Sequence, residues 1–133
     1  MSHSFTLTFT ALPEHIDTND HVNNAVWVRW MEELAARHWQ ADADPAHVAA
    51  YGWVVLRHEI DYRGNVREGA QVIGTTQIRE RPRGARFERH FSFVDDTGRE
   101  LVCARTRWAM IDLAKGRPAR IPAKVAAPFL PPA

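Results

Sequence analysis

The chain has 133 residues, of which 45% are hydrophobic and 25% charged, and its formal net charge is +1. This length suits one domain, and this composition is typical of globular proteins rather than of disordered ones. A net charge so close to zero provides no overall field that would attract nucleic acid or an anionic membrane. We therefore expect a single folded domain over residues 1–133, with neither nucleic acid nor a membrane as its partner.

The N-terminal part of the sequence predicts one strand followed by one long helix. Apolar residues and threonines alternate over residues 4–12, which is the pattern of a half-buried strand. A polar loop over residues 14–23 leads into a predicted helix over about residues 24–40, with Asn23 or Asn24 as its N-cap. The apolar stripe of this helix is wide, so we expect the helix to pack against a sheet.

The rest of the sequence predicts mainly strands. A short second helix is predicted over residues 45–51. Clusters of Gly, Pro, Asn and Asp then separate four segments with strand pattern, at about residues 53–62, 70–81, 85–94 and 100–112. We expect an α+β fold in which a long helix covers one face of a five-stranded antiparallel sheet. The other face and the edges of that sheet need protection, which predicts a homo-oligomer.

The segment from Asp17 to Asn24 contains groups that could attack a carbonyl carbon. A carboxylate such as Asp17 can activate water as a general base, or can add to a thioester and form an anhydride. Asn24 lies at the predicted helix start, where its backbone N–H can bind a developing oxyanion, and the amides of Asn23 and Ala25 are further candidates. His21 could orient water or the carboxylate, and Asn23 either fixes the loop or contacts the substrate. The competing interpretation makes Asp17 the acceptor of an Asx turn.

Arginines are dense around the predicted hairpin turn at residues 82–84. Five surround it, and two glutamates offset only part of their charge; the five are Arg79, Arg81, Arg83, Arg86 and Arg89. Arginine is well suited to forked contacts with phosphate, so this turn could bind a phosphate-rich ligand. A solvated hairpin that resists aggregation is the competing interpretation. No nucleic-acid recognition motif accompanies the turn.

Several further features narrow the class of protein. The seven His residues show no metal-binding spacing and no glycine-rich nucleotide loop is present, so we predict neither a metal nor a cofactor. Cys103 is the single cysteine, and its place in a predicted strand favours a structural role. The N-terminus lacks a signal-peptide pattern, and no apolar run approaches the ~20 residues of a membrane span. We therefore expect a cytoplasmic protein.

With these motifs the chain resembles the hotdog-fold acyl-CoA thioesterases of the 4-hydroxybenzoyl-CoA thioesterase type. The block Asp17-Thr-Asn-Asp-His-Val-Asn-Asn24 and the helix segment at residues 30–37 carry the resemblance, with weaker support from residues 60–62, 86–90 and 116–122. The resemblance implies a hotdog fold, in which an antiparallel sheet wraps a long central helix. It also implies homodimers or homotetramers whose active sites lie at the subunit interface.

The same resemblance implies roles for individual residues in acyl-CoA hydrolysis. Asp17 would be the base or nucleophile, the Asn24 amide would polarise the thioester carbonyl, and Arg83 and Arg86 would bind the phosphates of CoA. One departure is Asp20, because many relatives have Gly there, and a side chain with a second negative charge could reshape the loop. Two alternatives stay open: a hotdog hydratase or dehydratase, and an acyl-CoA-binding protein without catalysis. The sequence does not define the acyl group.

Overall fold

The computed structural model describes residues 3–132 and contains one long helix and one antiparallel sheet. The strands are, in chain order, β1 (Ser4–Thr10), β2 (Tyr51–Tyr62), β3 (Gln71–Gln77), β4 (Arg86–Val94), β5 (Glu100–Asp112) and β6 (Arg117–Pro118). The helices are α1 (Asn24–Asp42), α2 (Pro45–Ala50) and α3 (Ala123–Ala126), and two short 3-10 helices span Pro13–His15 and Ala127–Phe129. The predicted α+β hotdog fold is confirmed.

The order of strands in the sheet is β1-β3-β4-β5-β2, and the two-residue β6 pairs with β5. β2 pairs with β5 from Tyr51 opposite Asp112 to Tyr62 opposite Val102, with a register shift at Leu56. Its other edge has no strand partner among the described residues. Val54 and Leu56 in the first half of this strand are 44% and 46% exposed, so that part of the edge is apolar, whereas Arg57, Glu59 and Asp61 are exposed in the second half. Such an edge is a template for pairing with another chain.

Most predicted elements are found within a few residues of their predicted bounds, and the differences have local causes. β3 ends at Gln77 instead of residue 81. Gln77 pairs with Ser4, the first residue of β1, and with His90 of β4, and both pairings end there. β6 and α3 were not predicted, since elements of two and four residues are too short to show a periodicity. Within residues 3–132, no helix is both long and apolar enough to cross a bilayer.

The core lies between α1 and the inner face of the sheet. Trp30 of α1 stacks on Phe9 of β1 at 4.9 Å between ring centroids, and Trp27 contacts Phe93 of β4 edge-on at 5.4 Å. Gly74 of β3 makes this close approach possible, because a Cβ there would lie 2.8 Å from Phe93 and 2.9 Å from Leu34. Trp27 and Trp30 are therefore core residues.

Candidate active site

The loop that precedes α1 is closed by backbone pairing between its two ends. Ile16 and Val22 form an isolated antiparallel bridge, and the Asp17 N–H donates to the His21 carbonyl at 2.8 Å. The half-buried Asp17 accepts, through Oδ1, the N–H groups of Asn19 at 2.9 Å and His21 at 3.3 Å. The contact with Asn19 is that of an Asx turn. Asp17 Oδ2 accepts no hydrogen bond from residues 3–132, so one oxygen is available to a ligand or to water.

At the start of α1, the backbone N–H groups of Asn23, Asn24 and Ala25 differ in their hydrogen bonding. Asn23 is the N-cap, and its Oδ1 accepts the N–H of Ala25 at 2.9 Å. The N–H of Asn23 donates to the carbonyl of His15, also at 2.9 Å. The N–H of Asn24 lies between these two and has no acceptor in the part of the chain that the structure describes. Of the three candidate oxyanion donors, Asn24 is therefore the one whose N–H is not already used.

Asp20 has φ of 61°, the left-handed backbone region, and no other non-glycine residue of the described chain has a positive φ. Aspartate adopts this region more readily than most residues. The loop can therefore form with Asp20 the same left-handed turn that glycine would allow. The Asp20 carboxylate lies 3.5 Å from the guanidinium of Arg67, and both side chains are exposed. Arg67 thus offsets part of the second negative charge near Asp17.

Asn65 anchors this loop, although its sequence context predicted only a turn residue. Its Oδ1 accepts the N–H of Val22 at 3.0 Å, and its Nδ2 donates to the carbonyl of the same residue at 3.2 Å. The same Oδ1 also accepts the N–H of Val66 at 2.8 Å. No local pattern reveals this contact, because Asn65 and Val22 are 43 positions apart.

A cavity of about 470 Å³ lies between the second half of α1 and the inner face of the sheet. The loop over residues 14–23 that precedes α1 is called the acid loop below. The four predicted site residues of this loop and of the helix start do not line the cavity: Asp17, His21, Asn23 and Asn24. The residues of α1 that line it are Glu32, Ala35, Ala36, Trp39 and Gln40, whereas Glu33 pairs with Arg37 at 3.5 Å on the exposed face of α1. Its other walls come from β2, β4, β5 and the segment after β6. This volume is typical of a site for a small molecule.

The arginine-rich turn borders this cavity. Arg83 and Arg86 exchange two backbone hydrogen bonds, at 2.8 and 3.0 Å, and both side chains are exposed. They line an open groove of about 440 Å³ in which four arginines face two glutamates, and Phe87 lines both this groove and the cavity. Arg89 does not belong to this exposed group, because the alternation along β4 turns it inward, where it is 4% exposed.

The predicted site residues therefore form two groups at opposite ends of α1. Asp17, His21, Asn23 and Asn24 lie at the start of the helix. Near the other end of α1, the ring of His38 stacks on Phe5 of β1. Phe5 pairs with Thr76 of β3, and the arginine-rich turn follows β3 along the chain. A helix of 19 residues is about 28 Å long. One protomer does not bring the two groups together.

No cluster of three or more His, Cys, Asp or Glu side chains suited to a metal ion occurs within residues 3–132. Cys103 is a free thiol and lies half-buried in β5, opposite Ser92 and Asp61.

The fold described above is that of the hotdog proteins. The sequence profile of the thioesterase-like superfamily matches residues 11–129. The chain belongs to this superfamily, so the resemblance found in the sequence is confirmed. No curated protein matches the sequence.

Similar solved structures support the fold. One is the 1,4-dihydroxy-2-naphthoyl-CoA thioesterase Slr0204 from Synechocystis, which is 14% identical with a TM-score of 0.80 over 95% of each chain. Another is SAV2348 from Staphylococcus aureus in complex with CoA, 17% identical with a TM-score of 0.83 over 98% of this chain and 87% of that one. A thioesterase from Thermus thermophilus, solved with CoA and Zn, is 20% identical with a TM-score of 0.80 over 93% and 95%.

Proposed function

We propose that the protein hydrolyses an acyl-CoA thioester to a free acid and CoA. Asp17 acts as general base or nucleophile, and the backbone amide of Asn24 polarises the thioester carbonyl. The observation that carries this proposal is the pair of unused groups at the start of α1. Asp17 Oδ2 and the Asn24 N–H have no partner among the described residues, although the groups beside them are hydrogen-bonded. A preorganised amide donor of this kind typically lowers a barrier by ~3 kcal/mol.

The hydrolysis has two versions that share this geometry. In the first, Asp17 takes a proton from water, the hydroxide adds to the carbonyl carbon, and the oxyanion accepts the Asn24 N–H. The tetrahedral intermediate then collapses, the C–S bond breaks, and the thiolate of CoA leaves and takes up a proton. In the second, an oxygen of Asp17 adds to the carbonyl, expels the thiolate and forms an anhydride that water hydrolyses. His21 would orient the water in either version.

The arginine-rich groove is proposed to bind the phosphates of CoA. Arg83 and Arg86 are exposed and close together, and forked contacts from guanidinium groups suit phosphate oxygens. Two of the similar structures were solved with CoA, which makes CoA a reasonable ligand for a protein of this fold. Because one protomer separates this groove from the acid loop, we infer that a substrate contacts residues of two protomers.

The open edge of β2 provides a way for two protomers to form such a site. Gly52 and Trp53 near the start of β2 line the cavity, whereas Asn65, three residues past its end, holds the acid loop. An antiparallel, two-fold pairing of β2 with β2 of a second copy would place the start of one strand beside the end of the other. The cavity of one protomer would then lie next to the acid loop of its partner.

The catalytic assignment is tested with Asp17→Asn. We expect kcat for acyl-CoA to fall at least ~100-fold with little change in KM, because the base is lost while substrate contacts remain. Asp96→Asn, on an exposed turn, is the matched control and should retain wild-type turnover. The assay is release of free thiol, with loss of enoyl absorbance followed in parallel. An Asp17→Asn variant that keeps most of its turnover would reject Asp17, and enoyl hydration without thiol release would favour the hydratase alternative.

The CoA assignment is tested with the double variant Arg83→Ala and Arg86→Ala. We expect a higher KM for CoA esters and an unchanged KM for acyl thioesters that lack the nucleotide, because only the former carry the phosphates. Arg105→Ala, on the outer face of β5, is the matched control. An equal rise in KM for both kinds of thioester would contradict phosphate binding at this turn.

The pairing of β2 edges is tested with the double variant Val54→Lys and Leu56→Lys. Two lysines on an exposed edge strand should prevent the pairing, so we expect a monomer by light scattering and loss of thioesterase activity. Leu113→Lys, an exposed leucine outside β2, is the control that should stay oligomeric. A double variant that remains an active oligomer would show that protomers associate elsewhere.

A further inference from the structure

Arg89 is a charged side chain buried in the wall of an otherwise mainly apolar cavity. It follows Phe87 and precedes Phe91 on the inward face of β4, and it is 4% exposed. Arginine is rarely buried to this extent without a carboxylate partner. No carboxylate of residues 3–132 lies within 4.0 Å of it, and burial lowers the pKa of Arg89 to about 9, so it still carries its charge at neutral pH.

Both protein partners of Arg89 are uncharged. Its Nη1 donates to Nδ1 of His38 at 2.9 Å and to the hydroxyl of Thr76 at 3.2 Å. Because a guanidinium only donates, Nδ1 of His38 must accept, which places the proton of this neutral ring on Nε2. That nitrogen lies 3.2 Å from Oδ2 of Asp42. The imidazole of His38 therefore lies between Arg89 and the carboxylate of Asp42.

The side of the guanidinium formed by Nε and Nη2 has no protein acceptor. Nε is buried without a partner among the described residues, and both hydrogen bonds of Arg89 come from Nη1. The indole Nε1 of Trp108 is also buried without an acceptor. Arg89 pairs with Thr106 and Phe87 with Trp108, so the two donors are diagonal neighbours on one face of the sheet. Arg89 and Trp108 both line the cavity, and each carries a buried N–H donor without an acceptor among the described residues, which is an unfavourable state for a buried polar group.

We propose that the cavity holds the acyl group of the substrate, and that this acyl group ends in a carboxylate which Arg89 and Trp108 bind. The inference rests on the proposed thioesterase function and names its substrate class, the ω-carboxyacyl thioesters. The free side of a guanidinium matches the two oxygens of a carboxylate. The rest of the wall suits the apolar part of such a ligand, because it is rich in aliphatic and aromatic side chains: Trp39, Trp53, Val55, Phe87, Ile121 and Phe129.

The binding test needs no turnover. Trp39, Trp53 and Trp108 line the cavity, so its occupation should change the tryptophan fluorescence. We expect wild-type protein to bind octanoate at least about tenfold more tightly than octan-1-ol, as hydrogen bonds to a charged group would give. Arg89→Met should remove this preference and still bind octan-1-ol, whereas Arg105→Met should behave as wild type. The site is overturned if wild type binds octan-1-ol as tightly as octanoate, a comparison that does not depend on how the variant folds.

The substrate test compares two thioesters that differ only at the far end of the acyl chain. We expect wild-type kcat/KM for 7-carboxyheptanoyl-CoA to exceed that for octanoyl-CoA at least about tenfold, and Arg89→Met to reverse the order. Equal turnover of the two, with octanoate still bound through Arg89, would overturn the assignment to the acyl group and leave a free acid as the ligand. If neither thioester is hydrolysed, the thioesterase proposal fails, and the fluorescence comparison still decides whether Arg89 binds a carboxylate.

Discussion

Asn65→Leu should destabilise the protein, because the leucine has nearly the same shape and no hydrogen-bonding groups. The change leaves the N–H and the carbonyl of Val22 without their partner, beside a side chain that is fully buried. Each unpaired backbone group costs about 1–3 kcal/mol, and water reaches this half-buried position in part. We therefore expect the free energy of unfolding to fall by about 2–4 kcal/mol, as measured by urea titration.

The same variant should also lose activity, because Val22 forms the backbone bridge that closes the acid loop. A displacement of Asp17 by about 1 Å can cost up to ~100-fold in rate, so we expect kcat to fall at least ~10-fold. Gln71→Leu is the control, since it removes one exposed side-chain bond to Thr10 at 3.2 Å and should cost less than about 0.5 kcal/mol. An Asn65→Leu protein as stable and as active as wild type would refute the anchoring role.

Two further predictions concern the backbone. Gly74→Ala should lower the free energy of unfolding by about 1–3 kcal/mol, because the new Cβ would lie under 3.0 Å from Phe93 and Leu34; a calorimetric Tm equal to that of wild type would contradict the close approach. Asp20→Gly should stay within about 1 kcal/mol of wild type and keep its thiol-release activity, whereas Asp20→Val should lose stability, because a β-branched residue strongly disfavours φ of 61°. Loss of activity in Asp20→Gly would show that the carboxylate itself takes part.

The sequence predicted those features that depend on neighbours along the chain. The start of α1 at Asn24 follows from an N-cap asparagine and a change in periodicity, and β5 follows from the turn residues before it and the alternation over its central residues. The Asx turn at Asp17 is likewise local. By contrast, the contact between Asn65 and Val22 joins residues 43 positions apart, and no pattern within either segment indicates it.

The orientation of Arg89 was predicted wrongly for a different reason, because its residue type outweighed the alternation along its strand. Phe87, Phe91 and Phe93 occupy alternate positions of β4, and Arg89 shares their parity. Alternation alone therefore places this arginine on the inward face. Its charge and its closeness to the arginine-rich turn suggested solvent instead. One of its two hydrogen-bond partners, His38, comes from α1 and is 51 positions away.

The proposal that one site uses residues of two protomers can be tested by mixing variants. If the acid loop of one copy faces the cavity of the other, a mixed dimer of Asp17→Asn and Arg89→Met chains has one site with both wild-type residues and one site with neither. After equal amounts are mixed and allowed to exchange, half of the dimers are mixed, so about one quarter of wild-type activity on 7-carboxyheptanoyl-CoA should return. If Asp17 and Arg89 act within one chain, every site in a mixed dimer is defective and no activity returns. From Asn24 to His38, which contacts Arg89, α1 rises by about 21 Å, and this separation favours the first outcome.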